Sequence, residues 1–419
     1  MDRPAGPASG DRPSLSSWKE IAAQLDVSVK TAQRYENELG LPIKRLGGRV
    51  SITVPDLLAW QARNAKPIPW WANVRKLQIG LGLSAGLVVL AVIGIAVYYF
   101  FQKTGPPASV HTEGSLLTVR DAKGRPVWQH LFDVPALGPG EHPFLRHRFS
   151  DIDNDGQLET VGVWQHALRD TTGWGVHCFS SDGKLRWLLH LDDRVRTAAG
   201  KEFGPPYVVR SFTLFASPEN DGTQWVAAVF VHVNDVFSTL IVTDSLGKRR
   251  GQYWHSGHLN TVQMFDADGD GKKEVVAGGV RHGVEQAVIV AFDPGRVSAA
   301  NAMPKGHPQA ILDMGLSSEK STGFFARSLL SKEVGPFNFI SDLHLVNGIL
   351  RAHVYESLQA PEGYLLNDFE PGLRIREITM SATFLGAHQQ LRKSKKLAEL
   401  IPEKELARLR GEFRLEPPR

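Results

Sequence analysis

Two stretches decide how the chain is read. The first is Phe149-Ser150-Asp151-Ile152-Asp153-Asn154-Asp155-Gly156-Gln157-Leu158-Glu159-Thr160-Val161. The second is Met264-Phe265-Asp266-Ala267-Asp268-Gly269-Asp270-Gly271-Lys272-Lys273-Glu274-Val275-Val276. Counted from Asp151 or Asp266, each sets carboxylates at positions 1, 3 and 5, a Gly at 6 and a Glu at 9. That spacing suits one hard cation, because the Gly allows a sharp turn and Ca²⁺ takes about six to eight oxygens at roughly 2.3–2.6 Å. The expectation is two structural calcium ions, one held by Asp151, Asp153, Asp155 and Glu159, the other by Asp266, Asp268, Asp270 and Glu274. Backbone carbonyls of Gln157 and Lys272 are expected to complete the shells. An EF-hand would carry a bidentate Glu at about position 12. Gly162 and Ala277 stand there, and the flanks are strand-like.

Moving outward, a second pattern of strand, turn and often Trp alternates with the first. It runs Val119 to Trp128 and Phe179 to Trp187, with a further copy at Val242 to Lys248. Ser217-Pro218-Glu219-Asn220-Asp221-Gly222 falls where a middle copy of the acidic pattern belongs but lacks its acidic ladder. Short β-branched and aromatic runs between Gly/Asp/Asn turns predict a mainly-β region over 113–385, after a linker at 102–112. Self-similarity at a period of roughly 50–65 residues is a propeller or solenoid signature. The acidic loops resemble those of FG-GAP repeats, the blades of integrin-α-type propellers. That resemblance implies a calcium-binding, propeller-like fold. The region's length gives about four or five blades at this period, so closure stays open.

From Leu77 to Phe101 no residue is charged. As a helix this run extends roughly 38 Å, enough to cross a hydrocarbon core of about 30 Å. Trp70, Trp71, Tyr98 and Tyr99 suit the interfacial belts, and Arg63, Lys66, Arg75 and Lys76 precede the run where only Lys103 follows closely. The positive-inside rule then predicts a single-pass protein of the bacterial inner membrane, with the N-terminus cytoplasmic and the C-terminal part extracytoplasmic. Gly80 with Ser84, and Gly82 with Gly86, are small-residue pairs through which two such helices could pack as a homodimer. The single cysteine, Cys178, permits no intrachain disulfide. Stability must then come from a core, from metal, or from both.

Composition excludes a collagen, a wholly disordered chain and a disulfide scaffold: 42% of the residues are hydrophobic and 22% charged. The formal net charge of +4 divides unevenly, with +5 over residues 1–76 and −1 over the rest. Residues 1–14 read as disordered. Residues 15–65 read as a small folded domain, followed by a juxtamembrane linker at 66–76. Ser17 with Glu20 makes a capping box, and Trp18, Ile21, Ala22 and Leu25 share one helical face. Ser28 caps a second helix to about Leu39, with Val29, Ala32 and Tyr35 inward. Gly47-Gly48 turns a hairpin, and a last helix from about Pro55 to Arg63 returns Leu57, Leu58 and Trp60 to the core.

Helix, turn, helix and hairpin in this order resemble the winged helix-turn-helix domains of excisionase and MerR-like regulators. The resemblance implies double-stranded DNA as partner, read through Ser28, Lys30, Thr31, Gln33 and Arg34, with phosphate contacts from Lys44, Arg45 and Arg49. The fold class predicted for the whole is therefore multidomain: a small α+β winged helix-turn-helix, one transmembrane helix, a β-propeller-like region and short C-terminal helices. A basic tail over 386–419, including Arg392-Lys393-Ser394-Lys395-Lys396, is expected to be solvated. This layout is similar to ToxR-type one-component regulators. It implies a membrane-anchored transcriptional regulator in which an extracytoplasmic calcium-binding sensor acts on a cytoplasmic DNA-binding domain. An adhesion or ligand-binding protein with an N-terminal interaction adaptor is the alternative. No catalytic constellation is readable, and no enzyme is expected.

Overall fold

The computed structural model describes residues 13–64, 89, 92, 104–133, 146–164, 174–303, 306–312, 314–315, 317–357, 362–394, 396–397 and 399–417. The chain divides into two compact units, Met1–Gln102 and Lys103–Arg419.

In the small unit, β1 (Ser14–Leu15), α1 (Trp18–Gln24), α2 (Val29–Leu39), β2 (Lys44–Leu46), β3 (Arg49–Thr53) and α3 (Val54–Asn64) follow in order. The strands form a sheet in the order β1-β3-β2. Local signals set the helix starts. Ser17 Oγ accepts from Glu20 N at 3.2 Å, and Ser28 Oγ accepts from Thr31 N at 3.1 Å, each satisfying an orphan donor of a first turn. The Glu20 carboxylate reaches back to Ser16 N at 2.9 Å rather than to Ser17 N. Gly47 and Gly48 have φ of 58° and 82°, the left-handed pair that a tight hairpin turn requires. Ile21, Leu41, Ile52, Leu57 and Trp60 form the core, and Trp60 Nε1 donates to Leu39 O at 2.8 Å. Two residues expected inside are exposed, Val29 and Leu58.

The large unit is a succession of antiparallel sheets. β4 (Pro107–Glu113), β5 (Leu116–Asp121) and β6 (Pro126–Leu131) make the first, so a strand begins inside the predicted 102–112 linker. β7 (His147–Ser150), β8 (Glu159–Trp164), β9 (Gly175–Phe179) and β10 (Leu185–Leu189) make the second. A ribbon of β11 (Val195–Arg196) and β12 (Glu202–Phe203) precedes β13 (Tyr207–Ala216), β14 (Gln224–His232), β15 (Phe237–Thr243) and β16 (Arg249–Ser256). Next come β17 (Leu259–Phe265), β18 (Glu274–Arg281), β19 (Gln286–Phe292) and β20 (Ser321–Phe324). After α4 (Leu329–Val334), the last sheet holds β21 (Phe339–Val346), β22 (Ile349–Ser357), β23 (Gly363–Glu370) and β24 (Arg374–Met380). α5 (Ala382–Lys393), α6 (Pro402–Glu412) and β25 (Arg414–Glu416) end the chain.

Each sheet packs its faces on its neighbours. Val161, Val176, Phe212 and Val226 share one core between the second sheet and the β13–β16 sheet. Tyr253, Val262, Val275 and Val288 share the next, and Val276, Ile289, Ile340 and Ala352 the one after. Inner strands are covered on both faces, so β18 is buried along its whole length and reads, between Glu274 and Arg281, as a continuous apolar run rather than an alternation. The recurrent Trp also finds its use here. An added Cβ at Gly183 would lie 2.8 Å from the Trp128 ring, and one at Gly247 would lie 2.6 Å from the Trp187 ring. Each indole thus lies flat on the glycine of the following hairpin, and Trp187 Nε1 donates to Ser245 O at 3.0 Å.

Three expectations are corrected by this architecture. The β-propeller-like form does not hold: the sheets are open, and among the described residues no strand pairing joins the first to the last. The end of the chain goes elsewhere, because β25 pairs with β20 in the register Thr322↔Glu416, Gly323↔Leu415 and Phe324↔Arg414. The transmembrane helix is not supported either, since no helix among the described residues is long and apolar enough to cross a membrane. The longest of the described helices, α5, has 12 residues and so spans only about 18 Å. The apolar run at 77–101 lies outside the described residues, apart from Val89 and Val92, as do Gly80, Gly82, Ser84 and Gly86. The inner-membrane location loses its basis with the helix. Finally, the C-terminal stretch is not a free basic tail. Phe384, Ala387 and Leu391 of α5 and Leu409 of α6 share a core with Leu330 and Leu365, and the chain ends in a paired strand.

Candidate metal centre

The β7–β8 and β17–β18 turns carry the two acidic stretches on nearly the same scaffold. In the first, Gly156 N donates to Asp151 Oδ2 at 2.8 Å and Gln157 N to Asp155 Oδ1 at 2.8 Å. In the second, Gly271 N donates to Asp266 Oδ2 at 3.1 Å and Lys272 N to Asp270 Oδ1 at 2.7 Å. The position-9 glutamates are buried and close the turns from below. Glu159 Oε2 accepts from Ile152 N at 3.1 Å, and Glu274 Oε2 accepts from Ala267 N at 2.7 Å. Each turn is also tied to another sheet through its backbone, with Gln224 N donating to Ile152 O at 2.8 Å and Gly372 N to Asp266 O at 3.0 Å.

Ligand atoms of Asp151, Asp153, Asp155 and Glu159 all lie within 4.8 Å of one another. That separation matches opposite oxygens across a cation with metal–oxygen distances of about 2.3–2.6 Å. Asp153 Oδ1 is buried and accepts no hydrogen bond, a lone pair that a cation would satisfy. The donor set is oxygen only, so the chemistry fits Ca²⁺. In the second turn the cluster comprises Asp266, Asp268 and Glu274. Asp270, expected with them, is not brought in. Its own N–H goes to Asp268 Oδ1 at 3.0 Å, a bond with no counterpart in the first turn.

Each cluster also holds a basic side chain that no local pattern pointed to. Arg186 of β10 meets Asp153 Oδ2 at 2.5 Å and Glu159 Oε1 at 3.3 Å. Lys320, just before β20, meets Asp268 Oδ2 at 2.7 Å, Glu274 Oε1 at 2.9 Å and Asp293 Oδ1 at 3.0 Å. Burial works against the Lys320 charge, but its three carboxylate partners outweigh it and raise the ammonium well above its ordinary value. Burial, with Asp153 and Asp155 adding like charge, raises Glu159 despite the Ile152 N–H and Arg186. Asp268 is lowered, first by its bond to Lys320.

The candidate nucleic-acid residues sit on α2 and the β2–β3 hairpin. Lys30, Gln33, Arg34, Lys44, Arg45 and Arg49 are exposed. Ser28 is engaged as the helix cap, and Thr31 Oγ1 lies 2.8 Å from Ser28 Oγ. Two of the cations already have partners: Arg45 binds Glu36 through 2.9 and 3.0 Å contacts, and Arg34 lies 3.5 Å from Glu38. Cys178 is buried, and burial raises its thiol well above the ordinary value, which makes it inert.

No family model and no curated protein matches the chain. Among solved structures it is similar to a protein of unknown function from Bacteroides caccae, at 10% identity and a TM-score of 0.24, covering 67% of this chain and 96% of that one. It is also similar to the V. cholerae biofilm matrix protein Bap1, at 14% identity and a TM-score of 0.25, covering 65% of this chain and 43% of that one. With no family match, open sheets and no membrane-crossing helix among the described residues, the excisionase/MerR-like, FG-GAP and ToxR-type identifications are not kept. The descriptors that went with them (helix-turn-helix, transcription regulation, membrane, propeller) go too.

Proposed function

We propose that this is a binding protein rather than an enzyme, whose large unit is a ligand-recognising stack of β-sheets stapled by two divalent cations, with calcium the fitting ion. The observation that carries this reading is the closeness of four carboxylates at the β7–β8 turn, one of which has an unbonded buried oxygen. Asp151, Asp153, Asp155 and Glu159 are the ligands there, and Asp266, Asp268 and Glu274 at the second turn. A bound cation would offset the mutual repulsion of these groups and tie each turn to its buried glutamate. Such a staple suits a unit without disulfides. The test is a thermal melt of the full chain in calcium and in chelator, with calorimetric titration. The expected result is a higher melting temperature in calcium and a stoichiometry of two. Equal melting temperatures and no binding heat would mean that Arg186 and Lys320 are the only counter-ions these turns use.

A second proposal concerns the small unit. The exposed Lys30, Gln33, Arg34, Lys44 and Arg49, within the first 76 residues that carry the positive charge excess, favour duplex DNA as its partner. Arg34→Ala should weaken binding of a selected duplex by about tenfold if the side chain contacts a base edge. A gel-shift series measures this, and unchanged affinity with an intact fold would overturn it.

A further inference from the structure

A cavity of about 400 Å³ opens where the leading strands of four sheets meet. Arg146 precedes β7, Arg210 is on β13, His258 and Asn260 flank the start of β17, and Phe339 begins β21. His282 and Phe337 complete one side, and Val236 adds apolar wall. None of the described residues lining it is acidic, whereas four can carry positive charge. The volume suits a small organic molecule.

The walls are fixed by bonds that run from sheet to sheet. Arg146 donates to Ser211 Oγ at 3.3 Å, and the same oxygen accepts from Val262 N at 3.3 Å. Asn260 Nδ2 donates to Ile340 O at 2.8 Å. His258 Nε2 is bound to Asp235 O at 2.9 Å and His282 Nδ1 to Glu285 Oε2 at 3.0 Å, so both rings are held in place. Two carboxylates lie behind the wall: that of Glu285 on His282, and that of Asp342, 3.8 Å from Arg146, which also accepts from Thr261 Oγ1 at 3.3 Å. Neither carboxylate lines the cavity, so the ionisable groups that face it among the described residues are all basic. Burial lowers both Arg210 and His258 from their ordinary values. For His258, the neighbouring His282 and Arg210 add to the effect. Positive groups that burden one another in a partly desolvated cavity favour an incoming anion.

We propose that this cavity binds a small organic carboxylate with an aromatic or branched apolar body. Its charged end is received by Arg146 and Arg210, and its body lies against Phe337, Phe339 and Val236. Guanidinium groups suit a planar carboxylate because they can donate two parallel hydrogen bonds to it. The assignment goes beyond the cation reading and is independent of whether the acidic turns hold metal.

The experiment uses the full chain and two probes of the same shape, 2-naphthoate and its neutral counterpart 2-naphthamide, titrated calorimetrically in calcium and again in chelator. The expected result is a preference of at least about tenfold for the carboxylate, the scale of one charge-assisted contact. Arg146→Met and Arg210→Met should each remove most of that preference while sparing the amide, and Lys404→Met on the exposed face of α6 should retain it. Near-ultraviolet circular dichroism checks that each variant is folded. If a variant fails to fold, the two probes on the unaltered protein still decide. Equal binding of both probes, no binding of either at millimolar concentration, or a preference surviving in the folded double variant would overturn the proposal.

Discussion

Glu159 is the residue on which the first acidic turn depends. Its carboxyl is raised above its ordinary value, first by burial and then by Asp153 and Asp155. The sign of its contribution follows from linkage. An acid whose folded value is raised stabilises the fold fully below its unfolded value, and that contribution is lost as pH rises through the folded value. Without metal, then, Glu159→Gln should melt at a higher temperature than the unaltered protein at pH 8, and the difference should vanish at pH 4. In calcium at pH 8 the order should invert, because the amide gives up a charged ligand. Melting temperatures at both pH values, in chelator and in calcium, check this. An unchanged order in calcium would remove Glu159 from the cation shell.

Hairpin elements are held to their neighbours by single tryptophans, and two glycines measure how strongly. Gly124 and Gly247 close equivalent turns, and both have φ of 77°. A Cβ at Gly124 would meet nothing within 4 Å, whereas one at Gly247 would lie 2.6 Å from the Trp187 ring. Gly124→Ala should therefore cost only the backbone term of about 1 kcal/mol. Gly247→Ala adds overpacking and should cost about 3 kcal/mol in all. Denaturant unfolding of the two variants gives the difference directly. Equal losses would mean that the indole does not hold the hairpin.

For the molecule as a whole, the two units have separate cores, in the small unit Ile21, Ile52 and Trp60, in the large one the serial cores between sheets. Two calorimetric transitions are expected, with calcium moving only the larger. A shift of both would place a cation site elsewhere. The sequence revealed what is local. The acidic turns, the helix caps and the Gly47-Gly48 turn each depend on residues within about a dozen positions, and their chemistry could be read directly. What stayed hidden was non-local. Arg186 and Lys320 approach their carboxylates from 33 and 46 residues away along the chain, and nothing in their own surroundings marks them. The cavity draws on widely separated segments and carries no motif. The sequence leaves closure open, because repetition says how one sheet follows another, not how the first and last are related. The strand order supplies that: the described sheets are open, and β25 pairs with β20.

Lys320 has one more consequence. Because it belongs to the same chain as Asp268 and Glu274, it cannot be diluted away from them. A tethered group competes at an effective concentration on the order of millimolar or more, whatever the amount of protein in solution. A cation entering the β17–β18 turn must therefore exceed a threshold set by the protein itself, not by the affinity of the carboxylates alone. Arg186 imposes a threshold of its own on the other turn, so the two turns would fill at different doses.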